Sequence, residues 1–386
     1  MPAGQGDLTT AAAILSVLSF LIWVCLLLFR AGFWRADQRF AEEGGPPAGA
    51  PLPSVTAVVP ARNEADAIGR SVASLLDQDY AGGFRIVVVD DRSTDGTGAA
   101  VPADPRVTVV QGSERPEGWT GKLWAVSQGI AAAPASDFLW LTDADIDHAP
   151  GELSALVAGA EADGLDMVSL MVKLRLETFW DRLLIPAFVF FFQKLYPFRR
   201  VNDPDDALAA AAGGSMLVRR AAMERIGGIA SIRNELIDDC ALAARIKGSG
   251  GRIRLALAET TASLRAYGTL GEIWRMVTRS AFHQLRYSAY LLAGTVVSMT
   301  LIYIVPPLAV IAWPVHGSSI ALAAGAAAWV LMAYSEAPTL YRYGLSPWRG
   351  FALPAVAALY TAMTLDSARR HWLGRGGQWK GRVHAP

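Results

Sequence analysis

The chain has 386 residues, room for one large domain or two smaller ones, and balances 35 Lys and Arg against 35 Asp and Glu. That balance excludes a protein drawn to nucleic acid by its net charge. Only 18% of residues are charged and 52% are hydrophobic, too apolar for an ordinary soluble protein, and the apolar excess lies at the two ends. The sequence therefore reads as a membrane protein with a soluble middle.

Residues 11–29 (AAAILSVLSFLIWVCLLLF) carry no charge and are long enough to cross a bilayer as a helix. Arg30, Arg35 and Arg39 follow this run, whereas a signal peptide would carry its basic residues in front. An uncleaved anchor is expected, with the following chain in the cytoplasm by the positive-inside rule. Of the two cysteines, Cys25 sits in the anchor and Cys240 in a helical pattern, so neither a metal cluster nor a disulfide is expected. Residues 42–54 form a Gly/Pro-rich linker, which places a domain start near Pro53.

Strands and helices then alternate. Residues 54–59 read as a buried strand, 84–89, 107–110 and 138–141 as further apolar strands, and 65–78 and 121–132 as helices. Alternation of this kind implies an α/β fold with a mostly parallel sheet covered on both faces, whose ligands bind at the carboxyl ends of the strands. Three strands end in polar clusters: PARNE at 60–64, DDRSTDGT at 90–97, and TDADID at 142–147. In the last, residues two apart point to one side of an extended chain, so Asp143 and Asp145 share one space. Paired acids at a strand end repel each other unless a cation intervenes. Mg²⁺ or Mn²⁺ completed by substrate phosphates suits them, although aspartate is also common in an ordinary loop.

No dinucleotide GxGxxG, P-loop or G-x-S-x-G elbow occurs in this half, which argues against dehydrogenase, NTPase and serine hydrolase chemistry. Residues 166–172 and 215–218 read as further strands, the latter preceded by Gly213 and Gly214, which would let backbone approach a ligand. Residues 236–246 (LIDDCALAARI) form an amphipathic helix opening on Asp238 and Asp239. Acids there suit the helix macrodipole and are equally well placed as a base. Residues 179–198 (FWDRLLIPAFVFFFQKLYPF) fit either a core helix or, by their aromatics and flanking cations, a membrane-surface helix. Residues 291–313, 319–334 and 351–365 are candidate spans, the last short and broken by Pro354. The tail from Ser367 is basic, which favours the cytoplasm and conflicts with three full spans after a cytoplasmic domain.

Together, PARNE at 60–64, DDRSTDGT at 90–97, TDAD at 142–145, GGS at 213–215 and IDDCAL at 237–242 resemble the family 2 glycosyltransferases of the GT-A, Rossmann-like fold. The stretches GWTGKLWAV, LIPAFVFFFQKLYPF and ELIDDCALA are most similar to the bacterial hopene-associated glycosyltransferases, relatives of ceramide glucosyltransferases. The resemblance covers 53–287 and implies three parts: an anchor and linker at 1–52, the GT-A domain at 53–287, and a transmembrane region with a basic tail at 288–386. It also implies residence in the bacterial inner membrane, with the GT-A domain in the cytoplasm.

That resemblance implies inverting transfer of a sugar from a nucleotide diphosphate sugar, a UDP-sugar by the family's habit, to a lipid hydroxyl. By position, Pro60, Asn63 and Glu64 border the nucleoside, and Asp90 and Asp91 match acids beside uracil and ribose. Lys122 lies in the next nucleotide-side motif, Asp143 and Asp145 match the metal-binding D-x-D, and Asp239 matches the general base. Two positions depart from the family pattern. The E-D pair reads Asp238-Asp239, and the Q/R-x-x-R-W motif keeps only Arg286, which argues for single transfer rather than polymerisation. Metal and Arg286 would stabilise the departing diphosphate, and base catalysis would contribute about 10² to 10⁴-fold. The rival readings are a polyprenyl-phosphate glycosyltransferase and a non-catalytic nucleotide-sugar binder.

Overall fold

The computed structural model describes residues 3–41 and 52–374, together with the two-residue strands Gln378–Trp379 and Arg382–Val383. Most of the expected linker, and Arg375 and Lys380 of the basic tail, lie outside the described residues. Internal packing divides the chain into two units. One comprises Met1–Ala36, Leu176–Pro197 and Tyr267–Gly376, and the other Asp37–Arg175, Phe198–Ala266 and Gly377–Pro386.

The second unit is built on an eight-stranded sheet. Its strands are β1 (Val55–Ala61), β2 (Phe84–Asp90), β3 (Val107–Gln111), β4 (Phe138–Thr142), β5 (Ile146–Asp147), β6 (Met167–Lys173), β7 (Ser215–Arg219) and β8 (Ile253–Ser263). Their order is β3-β2-β1-β4-β7-β6-β8-β5. The first four are parallel to one another; β1, β2 and β4 are near-continuous apolar runs buried on both faces, whereas the edge strand β3 is exposed at Thr108, Val109 and Gln111. Every residue of β1 and β4 is buried. Strand β7 pairs antiparallel with both β4 and β6, and β6 runs parallel to β8.

The covering helices follow from their apolar stripes. Helix Ala65–Leu76 turns Ile68, Val72 and Leu75 inward, each fully buried. Helix Gly121–Ala132 starts at Thr120, whose hydroxyl accepts the Leu123 N–H. It lies so close to the sheet that a Cβ on Gly129 would stand 2.5 Å from Val58 Cγ1. Strand β8 has no counterpart among the sequence expectations. Its first half, Ile253–Ala258, is a short apolar run that periodicity alone does not separate from a helix.

The first unit is helical. Gly6–Phe29, Ala289–Ile311, Ser319–Arg342 and Pro347–Trp372 are long and apolar enough to cross a membrane. The last runs to 26 residues, longer than the 351–365 expected, because Pro354 falls in the first turn of helix Leu353–Trp372, where a missing N–H costs nothing. Within the second span the helix widens to a π turn at Thr300–Ile304, directly before Pro306 and Pro307. Helix Phe179–Leu195 is fixed at its start by a capping box between Thr178 and Asp181. It buries Leu184, Ile185, Val189 and Phe190 and packs with helices Ser319–Arg342 and Leu353–Trp372, where the Tyr360 hydroxyl donates to the Leu184 carbonyl at 2.9 Å. Eight of its 17 residues are buried, so one face is interior as in a core helix, while Phe179, Arg182 and Leu195 are exposed. Residues 176–197 and 267–287, read from sequence as part of the glycosyltransferase domain, belong to this helical unit.

Candidate active site

The turns after β1 and β2 are laced together. The Asn63 N–H donates to Ser93 Oγ at 3.0 Å, and Asn63 Oδ1 accepts the Thr94 N–H at 2.9 Å. The Glu64 N–H donates to Thr97 Oγ1 at 2.9 Å, and the Ala65 N–H to Asp95 Oδ2 at 3.0 Å. PARNE and DDRSTDGT are thus one structure in space. Asn63 and Arg92 both adopt positive φ, 52° and 56°, a conformation that costs energy in non-glycine residues and is held here by those bonds.

Asp90 and Asp91 are buried beneath these turns. Asp90 Oδ1 accepts the Ser93 N–H at 2.9 Å, and a Cβ on Gly98 would stand 2.7 Å from Asp90 Oδ2. The Asp91 carboxylate lies 3.6 Å from Arg62 Nη1, which also donates to the Asp91 carbonyl at 2.6 Å. Arg62 is not among the residues expected from sequence; its place inside PARNE was the available signal. Its buried Nε has no acceptor among the described residues.

After β4, Ala144 and Ile146 are buried while Asp143, Asp145 and Asp147 are partly exposed; Ala144 and Asp145 form a turn into β5 rather than the extended chain expected from sequence. Asp147 is drawn to Arg70, 2.5 Å away. Asp143 faces the centre of the site. Lys122, from the start of helix Gly121–Ala132, places Nζ 3.0 Å from Asp143 Oδ1 and 3.1 Å from Asp238 Oδ2. Burial disfavours the Lys122 ammonium, but Asp143, Asp238 and Asp239 outweigh it and hold its pKa above the ordinary lysine value.

Asp238 and Asp239 open helix Asp238–Gly248 and point differently, as neighbours 100° apart on a helix must. Asp239 Oδ2 accepts the Gly213 N–H at 2.9 Å, and Oδ1 accepts the Cys240 N–H at 2.7 Å. Burial, then the negative charge of Asp238, pushes the Asp239 carboxyl up to about 6. Gly213 is enclosed: a Cβ there would stand 3.3 Å from Lys122 Nζ and 3.5 Å from Asp239 Oδ2. Pro60, Lys122, Asp143, Gly213 and Asp238 line one narrow cleft. Arg286 belongs to the helical unit, in the left-handed turn (φ 51°) after helix Leu270–Gln284.

Two half-exposed carboxylates offer hard oxygen ligands of the type Mg²⁺ and Mn²⁺ prefer. Among the described residues no third His, Cys, Asp or Glu joins them in a protein cage. A cation here would draw its remaining ligands from water and a bound diphosphate, the usual habit of Mg²⁺. Carboxylates are the donors such an ion takes, and Asp145 and Asp143 are the ones that would hold it, with the Lys122 ammonium already a countercharge on Asp143.

Residues 56–227 match the family described as Glycosyl transferase family 2. The chain is 39% identical over 134 residues to the Succinoglycan biosynthesis protein ExoO of Rhizobium meliloti, covering 32% of this chain and 37% of that protein. It is 33% identical over 149 residues to an N-acetylglucosaminyltransferase of Mesorhizobium japonicum, covering 36% and 34%. The chain thus spans about a third of the length of these curated relatives. Among solved structures, a mannosyltransferase from Pyrobaculum calidifontis in complex with GDP-Man and Mn²⁺ superposes with a TM-score of 0.56 at 22% identity, over 94% of this chain and 99% of that one. The fold is accordingly the GT-A-like α/β sheet with flanking apolar helices.

Proposed function

We propose that this chain, with its glycosyl transferase family 2 domain at 56–227, is a membrane-bound inverting glycosyltransferase that moves a sugar from a nucleotide diphosphate sugar to a lipid hydroxyl. The observation that carries the reading is the Lys122 ammonium, which brings the strand-end carboxylate Asp143 and the helix-start acids Asp238 and Asp239 to one point. A diphosphate-side group and a candidate base thereby lie around one ammonium beside Gly213, an arrangement suited to sugar transfer.

Asp239 is the proposed base. A carboxyl raised to about 6 is ionised at neutral pH yet basic enough to take a proton from a hydroxyl as the bond to the sugar forms. That same feature favours a hydroxyl acceptor over a lipid phosphate, which needs little base assistance. Asp143 and Asp145 are proposed to hold Mg²⁺ or Mn²⁺, which as a Lewis acid would stabilise the departing diphosphate. Asn63, Glu64, Asp90 and Asp91 are proposed to shape the nucleoside end, with Pro60 at its border and uridine the expected base. The resemblance also assigns Arg286 to the diphosphate.

The lipid acceptor is proposed from the four apolar helices and, for a hopanoid or related lipid, from the hopene-associated stretches 118–126 and 184–198. Placement in a bacterial inner membrane with the sheet unit on the cytoplasmic side rests on Arg30, Arg35 and Arg39 after the first span. Donor-dependent UDP release by purified membranes tests the activity; its absence with every UDP-sugar and lipid extract would overturn the reading. Mass spectrometry of lipids from a deletion strain would name the product.

A further inference from the structure

Directly behind the site, outside any residue assigned above, lies a closed chain of buried polar groups. Glu152 is 0% exposed and His148 4%. Glu152 Oε1 accepts the Ser215 hydroxyl at 2.6 Å, and Ser215 Oγ in turn accepts the Trp140 indole N–H at 2.9 Å. Glu152 Oε2 accepts the Thr261 hydroxyl and stands 2.9 Å from His148 Nδ1. His148 Nε2 is 2.8 Å from Thr142 Oγ1, which is also 2.8 Å from the Gly214 carbonyl oxygen.

The protons can be placed by elimination. A carbonyl oxygen has no proton, so the Thr142–Gly214 contact uses the single Thr142 hydroxyl proton. Thr142 then has only a lone pair to offer His148, so Nε2 must carry a proton and donate it. Nδ1 and Glu152 Oε2, at 2.9 Å, need one more proton between them. The Ser215 and Thr261 hydroxyls both donate to Glu152 and favour its ionised form, so that proton sits on Nδ1. Burial pushes the Glu152 carboxyl up, but His148 and the Ser215 and Thr261 hydroxyls outweigh it and hold it below its usual value. The Trp140 ring meets His148 at a centroid distance of 4.5 Å, a favourable neighbour for a cation.

We infer that His148 and Glu152 form a buried imidazolium–carboxylate pair that positions both walls of the site. Through Thr142 the pair fixes the end of β4, one residue before Asp143. Through Ser215, and through the Thr142 bond to Gly214, it fixes the turn whose Gly213 N–H holds Asp239. His148 and Glu152 touch neither Asp143 nor Asp239, so they are positioning residues. A buried pair with every partner satisfied is costly to break on one side, which makes it suited to holding two strand ends in fixed register. The catalytic consequence rests on the glycosyltransferase reading; the proton count does not.

The test uses the full-length protein in detergent micelles, labelled with ¹⁵N-histidine. The chain has only five histidines, so each signal can be resolved. His148 should show protons on both ring nitrogens in neutral buffer, assigned by its loss in His148→Gln. If that variant does not fold, replacing the other four singly assigns it by elimination. A neutral one-proton ring would overturn the pair. Positioning is read separately with Thr142→Val, which keeps shape but removes the hydroxyl. Amide exchange in peptides containing Gly213 and Asp143 should quicken, transfer should slow about 10 to 100-fold, the range a misplacement near 1 Å can cost, and Thr142→Ser should restore both. Unchanged exchange in Thr142→Val would overturn the positioning role. If exchange and the imidazolium behave as stated while wild type transfers no sugar, the pair stands and the glycosyltransferase reading falls.

Discussion

Asp239 grips the Gly213 N–H at 2.9 Å with Oδ2, an oxygen a general base would turn toward its substrate. That bond fixes the orientation of the carboxylate. Were Asp239 the base, an acceptor hydroxyl would meet a carboxylate already oriented, and would share or displace that bond.

Asp239→Asn should separate chemistry from binding. The amide keeps the size and its oxygen can still accept one of the two backbone N–H groups, that of Gly213 or of Cys240, but it has no basic lone pair. Transfer should fall by roughly 10² or more, with donor affinity little changed. Asp238→Asn should retain more activity, because its contact is to Lys122. Equal losses, measured as kcat and donor Kd, would show a shared structural role at the helix start.

Gly213→Ala probes the cradle. Its Cβ would come 3.3 Å from Lys122 Nζ, so the flexible lysine must yield and carry its two salt bridges with it. The expected result is a folded protein whose kcat falls about 10-fold or more, in line with the cost of small misplacements. Thermal unfolding beside kinetics checks it; full activity would show that Lys122 position is unimportant.

The pH dependence follows from Asp239. Its folded pKa, about 6, is raised above the unfolded carboxylate value. The base form, and hence kcat/KM, should rise with pH through about 6. Stability has the opposite sign: the neutral carboxyl suits the buried site, so this group's contribution is fully present below the unfolded value and is lost as pH rises through about 6. Lys122→Met removes a charge that holds the Asp239 pKa down, so the rising limb should move to higher pH. A limb that stays in place would detach it from Asp239.

If Asp143 and Asp145 hold Mg²⁺ or Mn²⁺ against a donor diphosphate, EDTA and Asp145→Asn should each collapse UDP-sugar binding measured by calorimetry. Full turnover in chelator would remove the metal assignment.

Much of the parallel half was legible because its strands are uninterrupted apolar runs ending in polar clusters; helix Gly121–Ala132 coincides with its expected limits. Strand β8 was not, since Glu259 to Thr261 interrupts its apolar character and its partners β6 and β5 lie far away in sequence. Within the site, spacing singled out Asp143 and Asp145 as a pair at a strand end, and the structure gives Asp143 the Lys122 ammonium as its partner. No spacing could show that Lys122 bridges Asp143 and Asp238, because the three come from separate elements. The buried Glu152 and His148 were invisible for a related reason. An acid in the first turn of a helix looks like ordinary end charge until its surroundings are known.

The lacing of the 60–65 and 90–97 turns has a thermodynamic corollary. Loop residues commonly lose conformational freedom when a ligand arrives, but here seven of them, Asn63, Glu64 and Ala65 with Ser93, Thr94, Asp95 and Thr97, are already ordered by one another. A ligand meets a finished mould. Altering its shape at one turn would break bonds belonging to the other, so a change of ligand preference would require both turns to change together.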